Sequence, residues 1–292
     1  MEISAPVTAI VAAWNRIPET LETLRRICEC SPAASEIIVH IDGKRHSCKT
    51  AIATSFPNVR LLISEQIIGP GGARNRMVEA AGEEIIASFD DDSCPIDRDY
   101  FQRVCLIFEN FPEVSVIGAA VYERNITVKA DARTASYASD FIGCGCAYRR
   151  AAFLAAGGYV PLPVAYGMEE VDLALRLHAR GHQILRTQWL RVFHDTNLKR
   201  HADPKITAAS IANLALVAYL RYPVSLWCVG LLQMIRRTVW LIRARRFQGV
   251  VCGWFSVPKL LLQYRSYRAK LPLSAITAHL KMRRMPPEQM PF

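Results

Sequence analysis

The chain has 292 residues, 51% of them hydrophobic and 21% charged, with aromatics at 9%. That composition excludes disordered, collagen-like and coiled-coil chains, and the length suffices for one large domain or two ordinary ones around a sizeable core. The formal charge of +10 is uneven: residues 199–292 hold 16 Lys and Arg against two acids, Asp203 and Glu288, and residues 1–198 are mildly acidic.

Pro6–Trp14 is a short apolar run closed by Asn15-Arg16-Ile17-Pro18, which reads as a buried strand and a turn. Leu21, Leu24 and Ile27 carry helical spacing over Glu19–Cys30. Glu36–Ile41 is a second strand ending at Asp42-Gly43, Thr50–Ser55 a short helix, and Val59–Ile63 a third strand. Gly69–Gly72 reads as a loop and Ala73–Ala81 as a helix. Glu84–Phe89 is a fourth strand that stops at Asp90-Asp91-Asp92. Strands alternating with helices indicate an α/β fold, a mostly parallel sheet with helices on both faces. Ligands bind beyond the carboxyl ends of such strands, so Asn15-Arg16, Asp42 and the triple aspartate point to one cleft.

Tyr100–Glu109 and Arg150–Ala156 read as helices, and Val114–Tyr122 as a strand. Gly143 and Gly145 lie where backbones approach closely. Glu169–Ala179 is a strong helix stopped by Gly181, and Ile184–Phe193 a final strand leading to His194-Asp195. The basic region is mostly helical with apolar faces. Its longest apolar run, Ala208–Ile235, is broken by Arg221 and Pro223, short of the roughly 18 uninterrupted residues a membrane span needs. Met1–Pro6 and the run after it lack the basic flank of a signal peptide. The nine cysteines form no CxxC pair and read as small apolar residues in a reducing cytosol.

The residues that carry chemistry lie at these strand ends. Three adjacent carboxylates repel one another unless a cation or donors compensate, and hard divalent cations favour oxygen ligands. An acidic turn or helix cap is the plainer alternative. Gly69-Pro70-Gly71-Gly72 opens a helix whose N-terminus favours an anion, and Arg74 adds charge for a diphosphate. No Walker or dinucleotide fingerprint is present. Glu169 and Glu170 start a helix, where the dipole alone accounts for one or two acids. His194 ends a strand in a chain already rich in strand-end carboxylates.

The ordered set AAWNR at 12–16, HIDG at 40–43, GPGGARNRMVEAA at 69–81, SFDDDSCP at 88–95, YGMEEVDLALRLHARGH at 166–182 and VFHD at 192–195 resembles family 2 glycosyltransferases. The resemblance spans residues 6–195. It implies a GT-A fold over residues 1–198, with nucleotide-sugar binding in 1–95 and the acceptor side in 96–198, followed by a basic amphipathic helical region at 199–292. It implies Asn15, Arg16 and Asp42 at the base and ribose, Arg74 near the diphosphate, and Asp90 and Asp91 at the nucleotide sugar. Asp92 and His194 would bind Mg2+ or Mn2+ in the manner of a DxD motif. Glu170 stands where the family commonly has an aspartate base, which leaves the choice between Glu169 and Glu170 open.

The implied activity is inverting transfer from a nucleoside-diphosphate sugar to the hydroxyl of a glycan or lipid-linked acceptor in bacterial surface polysaccharide or glycolipid synthesis. A sugar-phosphate nucleotidyltransferase and a basic nucleic-acid-binding protein are the alternatives. The first lacks its early glycine-rich loop. The basic region's Trp227 and Trp240 suit an interfacial helix, so no nucleic acid is expected. Arg236, Arg237, Arg243, Arg245 and Arg246 beside Trp240, Leu241 and Phe247 predict a cytoplasmic protein held peripherally on the inner membrane face.

Overall fold

The computed structural model describes residues 4–162, 164, 166, 168–195, 203–284 and 288–292. Ten strands among them form one sheet in the order β10-β7-β9-β6-β8-β4-β1-β2-β3, with β5 pairing β9. Strands β1 (Ala5–Ala13), β2 (Ala34–Ile41), β3 (Arg60–Ile63) and β4 (Ile85–Asp90) form its wholly parallel half. Strands β6 (Val114–Glu123) and β9 (Gln183–His194) run parallel to each other, and β8 (Cys146–Arg149) lies antiparallel between β6 and β4. Strand β7 (Thr134–Tyr137) is antiparallel to β9, and β10 (Met290–Pro291) to β7. Most strands therefore share one direction, as the sequence predicts.

Alternation along β1 sends Val7, Ala9 and Val11 to one face and Ile10 to the other. The first face is covered by α1 (Ile17–Cys28), α2 (His46–Ser55) and α4 (Tyr100–Asn110), through Leu24, Ile52 and Phe101. The second is covered by α3 (Gly69–Ala80), α5 (Arg150–Ala155) and α6 (Glu169–His178), through Met77, Phe153 and Leu173.

The predicted loop at Gly69–Gly72 is instead the first turn of α3. Asp42 Oδ1 and Oδ2 accept the otherwise orphaned backbone N–H groups of Ile68 and Gly69 at 2.9 and 3.0 Å, which lets the glycines enter the helix. Strands β5 (Ser93–Pro95), β7, β8 and β10 lie outside the sequence reading. The expectation of buried cysteines holds for Cys30, Cys48, Cys94, Cys144 and Cys146, while Cys28, Cys228 and Cys252 are exposed and all nine are free.

The expected boundary at residues 198 and 199 lies outside the described residues. Beyond it, α7 (Pro204–Arg221), α8 (Trp227–Arg243), α9 (Val250–Gln263) and α10 (Leu273–Arg284) share cores with the sheet domain. Val171 and Leu175 of α6 pack with Val217, Tyr222 and Ile276, and Val160 and Leu162 pack with Leu216, Leu220 and Tyr264. Asp172 of α6 accepts from both Arg176 and Arg221 in a buried charged triad.

Of the predicted interfacial cluster, Arg236, Arg243, Arg245, Trp240 and Phe247 are exposed. Leu241 is instead buried with Ile211 and Met234. Arg237 and Arg246 turn inward, donating to Ser210 Oγ and Thr207 Oγ1 at 3.3 Å each.

Candidate active site

The parallel half of the sheet brings three predicted segments to one edge. Ala12 pairs with Asp90 in register, and Ala13 with Ile41, so the chain beyond β1, β2 and β4 converges. A cavity of about 290 Å³ opens there, walled by Trp14, Arg16, Asp42, Pro70, Asp90 and Asp91.

After β4 the chain bends back as β5, whose Ser93 pairs with His194 of β9. The Asp195 N–H donates to the Asp92 carbonyl at 2.8 Å, which fixes Asp92 against His194. Two arginines orient the acids. Arg74 holds Asp90 Oδ1, and Arg16 bridges Asp91 Oδ1 and Asp92 Oδ2. The remaining oxygens of Asp90 and Asp92 face His194 Nε2 at 3.9 and 3.2 Å. The ligand atoms of Asp90, Cys144 and His194 lie within 4.8 Å of one another. Two carboxylate oxygens and an imidazole, each held by a second partner, fit a hard or borderline divalent cation.

The electrostatics follow from this packing. Burial pushes the Asp91 carboxyl up to about 6, against the opposing pull of Arg16. Burial works the same way on Asp92, but the His194 bond and Arg16 outweigh it and hold Asp92 below the usual range. Burial disfavours the His194 cation, yet its bond to Asp92 and the charge of Asp90 raise its pKa.

The predicted residues also make contacts that the sequence does not show. Arg74 is fully buried rather than open to a diphosphate; it donates to Ser88 Oγ and Glu169 Oε1, both at 3.1 Å, and to Asp90. Its apolar neighbours on α3 face the core, and that register turns Arg74 inward too. Asp42 lines the cavity, and its carboxylate also accepts from the N-terminus of α3 and from Ser64. Arg16 lines the cavity and also clamps Asp91 and Asp92, and Asn15 is exposed. Asp91 is buried, with Oδ2 accepting from the Trp14 N–H at 3.2 Å. Asp90, expected at the nucleotide sugar, lines the cavity and also faces His194.

The two glutamates separate. Glu169 is buried and ion-paired to Arg74 at 3.1 Å, while Glu170 is half-buried with no ion pair among the described residues. Burial raises the pKa of both, and for Glu169 the charge of Glu170 adds to it. A Cβ on Gly143 would stand 2.6 Å from Glu170 Oε1 and 3.3 Å from Arg74 Nη2, so the end of the glutamate would have to move. Gly71 is similar, since its Cβ would meet Glu169 Oε2 at 2.3 Å. Gly167, beside Glu169 in the motif, lies outside the described residues.

Sequence reasoning gave no role to Trp14 or Cys144. The Trp14 ring is 52% exposed at the cavity, with Arg45 5.2 Å from its centroid. An aromatic closing a buried strand was the signal available for it. Cys144 had none, because its approach to His194, 3.6 Å from Sγ to Nδ1, crosses 50 residues.

A family model described as "Glycosyltransferase like family 2" matches residues 5–211. No curated protein matches the chain in sequence. Among solved structures, a mannosyltransferase from Pyrobaculum calidifontis, in complex with GDP-Man and Mn2+, superposes with a TM-score of 0.58 at 16% identity, covering 97% of this chain and 84% of that one. GalNAc-T7 with UDP, GalNAc and Mn2+ superposes with a TM-score of 0.61 at 13% identity over 77% of this chain and 49% of its own. TarS from S. aureus gives 0.53 at 12% identity, over 79% and 43%. The chain thus spans about half the length of GalNAc-T7 and less than half of TarS. At these identities the likeness is one of fold.

Proposed function

The chain belongs to the glycosyltransferase-like family 2, with a GT-A fold, and from that premise we propose an inverting, divalent-metal-dependent transfer of sugar from a nucleoside diphosphate to an acceptor hydroxyl. The carrying observation is the edge constellation: two arginine-held aspartates, each with one oxygen turned to His194.

Asp90, Asp92 and His194 would hold Mg2+ or Mn2+, which when bound supplies Lewis-acid stabilisation of the leaving diphosphate. Trp14 offers a stacking face for the base. Arg16 and Arg74 keep the aspartates oriented before substrate arrives, so little reorganisation is needed. Glu170 accepts the acceptor's proton as its oxygen attacks the anomeric carbon, and Glu169 braces Arg74. A single displacement inverts that carbon without a covalent enzyme intermediate. The Mn2+ and nucleotides named with two of the fold neighbours support this reading.

The direct test is a panel of nucleotide sugars with Mg2+ or Mn2+, scored for nucleotide release. Asp92→Ala and His194→Ala are each expected to remain folded and lose most transfer. Near wild-type turnover of either variant at limiting metal would remove that residue from the cation site.

The exposed apolar surface supports peripheral membrane docking, in keeping with a role in surface glycan or glycolipid synthesis. Val251, Phe255 and Leu262 of α9 are 65%, 82% and 62% exposed, with Arg243 and Arg245 nearby in sequence. No helix among the described residues is long and apolar enough to cross a membrane. Binding to phosphatidylglycerol vesicles is expected in flotation, weakened by salt and by Arg243→Gln with Arg245→Gln. Equal recovery with anionic and neutral vesicles would sink the claim.

A further inference from the structure

Helices α7, α8 and α10 enclose a cleft of about 800 Å³ together with Tyr166 and Met168, just ahead of α6. One part of its wall is aliphatic: Leu214, Val229, Leu232 and Leu280. The other is cationic: Arg236, Arg237, Arg283 and Arg284. Among the described residues, the only carboxylate within ion-pair distance of these four is Asp140, 3.9 Å from Arg283. Like charges gathered without counter-charges repel one another and favour an anion among them. Arg237 is the most enclosed, with its Nε on Ser210 Oγ and its guanidinium 4.5 Å from the Trp240 ring centroid and 6.0 Å from that of Tyr166.

Two further facts tie the cleft to the reaction. Met168 lines it and caps α6, two residues ahead of Glu170, so no more than about 7 Å of chain separates them. Trp240 and Leu232, half exposed on the same wall, continue into the apolar surface of α8. The cleft thus connects that surface to the helix bearing the carboxylate base.

We propose that this cleft is the acceptor site, and that it takes an amphiphile with a phosphate or diphosphate joined to an aliphatic chain. The anion sits among the arginines, the chain lies along the four aliphatic residues, and the hydroxyl to be glycosylated extends toward Glu170. The word acceptor rests on the transferase reading; the binding chemistry does not. The test therefore uses neither donor nor metal.

Calorimetric titration of the full chain with dodecyl phosphate, kept below its micelle concentration, is expected to saturate at one molecule per chain. The paired substitutions Arg283→Gln and Arg284→Gln, on the exposed side of α10, are expected to weaken it by about tenfold or more, the size of lost charge-assisted hydrogen bonds. Arg237→Gln probes the enclosed guanidinium separately and is expected to weaken binding as well, so either folded variant decides the outcome. Inorganic phosphate binding as tightly as dodecyl phosphate would reduce the site to a free-anion site. Dodecyl maltoside binding equally, or unchanged affinity in the folded variants, would overturn the cationic role. Binding to phosphatidylglycerol vesicles without binding to monomeric dodecyl phosphate would make the cleft part of the membrane dock, not an acceptor site.

Discussion

Glu170→Gln is expected to leave donor binding nearly intact and to lower sugar transfer by roughly a hundredfold or more, within the range that general-base catalysis contributes. Glutamine preserves the shape beside Gly143 but accepts no proton. Glu169→Gln is expected to act differently. It replaces the carboxylate that pairs with buried Arg74, so its main effect is on stability and on the hold over Asp90. The pH profile gives an independent reading. Burial raises the pKa of Glu170 above the ordinary carboxylate value, and a general base works only when deprotonated. Activity should therefore rise with pH along an acid limb displaced upward from that value, and Glu170→Gln should abolish the limb together with most of the rate. Crippled transfer in Glu169→Gln alongside normal transfer in Glu170→Gln would exchange the two roles.

The parallel half of the sheet is legible because β1, β2 and β4 are apolar runs that end in polar residues, and each is specified locally. Strands β5, β7 and β8 are three or four residues long, and partners far along the chain define them. Ser93 becomes a strand residue only because His194 lies opposite it. The site shows the same division. Its location follows from strand ends, but each side chain's partner does not. Arg74 reads as a free cation near a glycine turn until Glu169, 95 residues later, is folded against it. Asp42 reads as a ligand-facing acid, and its second task, accepting from the backbone at the start of α3, 26 and 27 residues on, is not legible locally. The basic region reads as an amphipathic surface, and local periodicity cannot say which arginines fold inward.

That inward packing sets the second large effect. Asp172→Asn is expected to destabilise the protein by about 3–5 kcal/mol, the cost of removing one partner from a buried charged group. Asp172 is 2% exposed, Arg221 3% and Arg176 6%, so the two guanidiniums left behind have little access to water. Asp172 Oδ2 accepts from Arg176 Nη2 at 2.6 Å and from Arg221 Nη2 at 3.2 Å, and asparagine offers one neutral oxygen in place of that charge. Arg176 keeps the Ala156 and Gly158 carbonyls, and Arg221 keeps the Tyr267 carbonyl. Those bonds soften the loss without neutralising two cations. Because the triad joins α6 to α7, the failure should begin at that seam. A melting temperature lower by on the order of ten degrees is expected, with earlier proteolysis of the helices after residue 203 than of the sheet domain. Adding Arg221→Met to Asp172→Asn removes one of the stranded charges and should recover part of the stability. An unchanged melting temperature and an unchanged cleavage pattern in Asp172→Asn would show that the triad does not hold the helices to the catalytic body. The shared apolar cores around Val217 and Leu220 would then have to suffice.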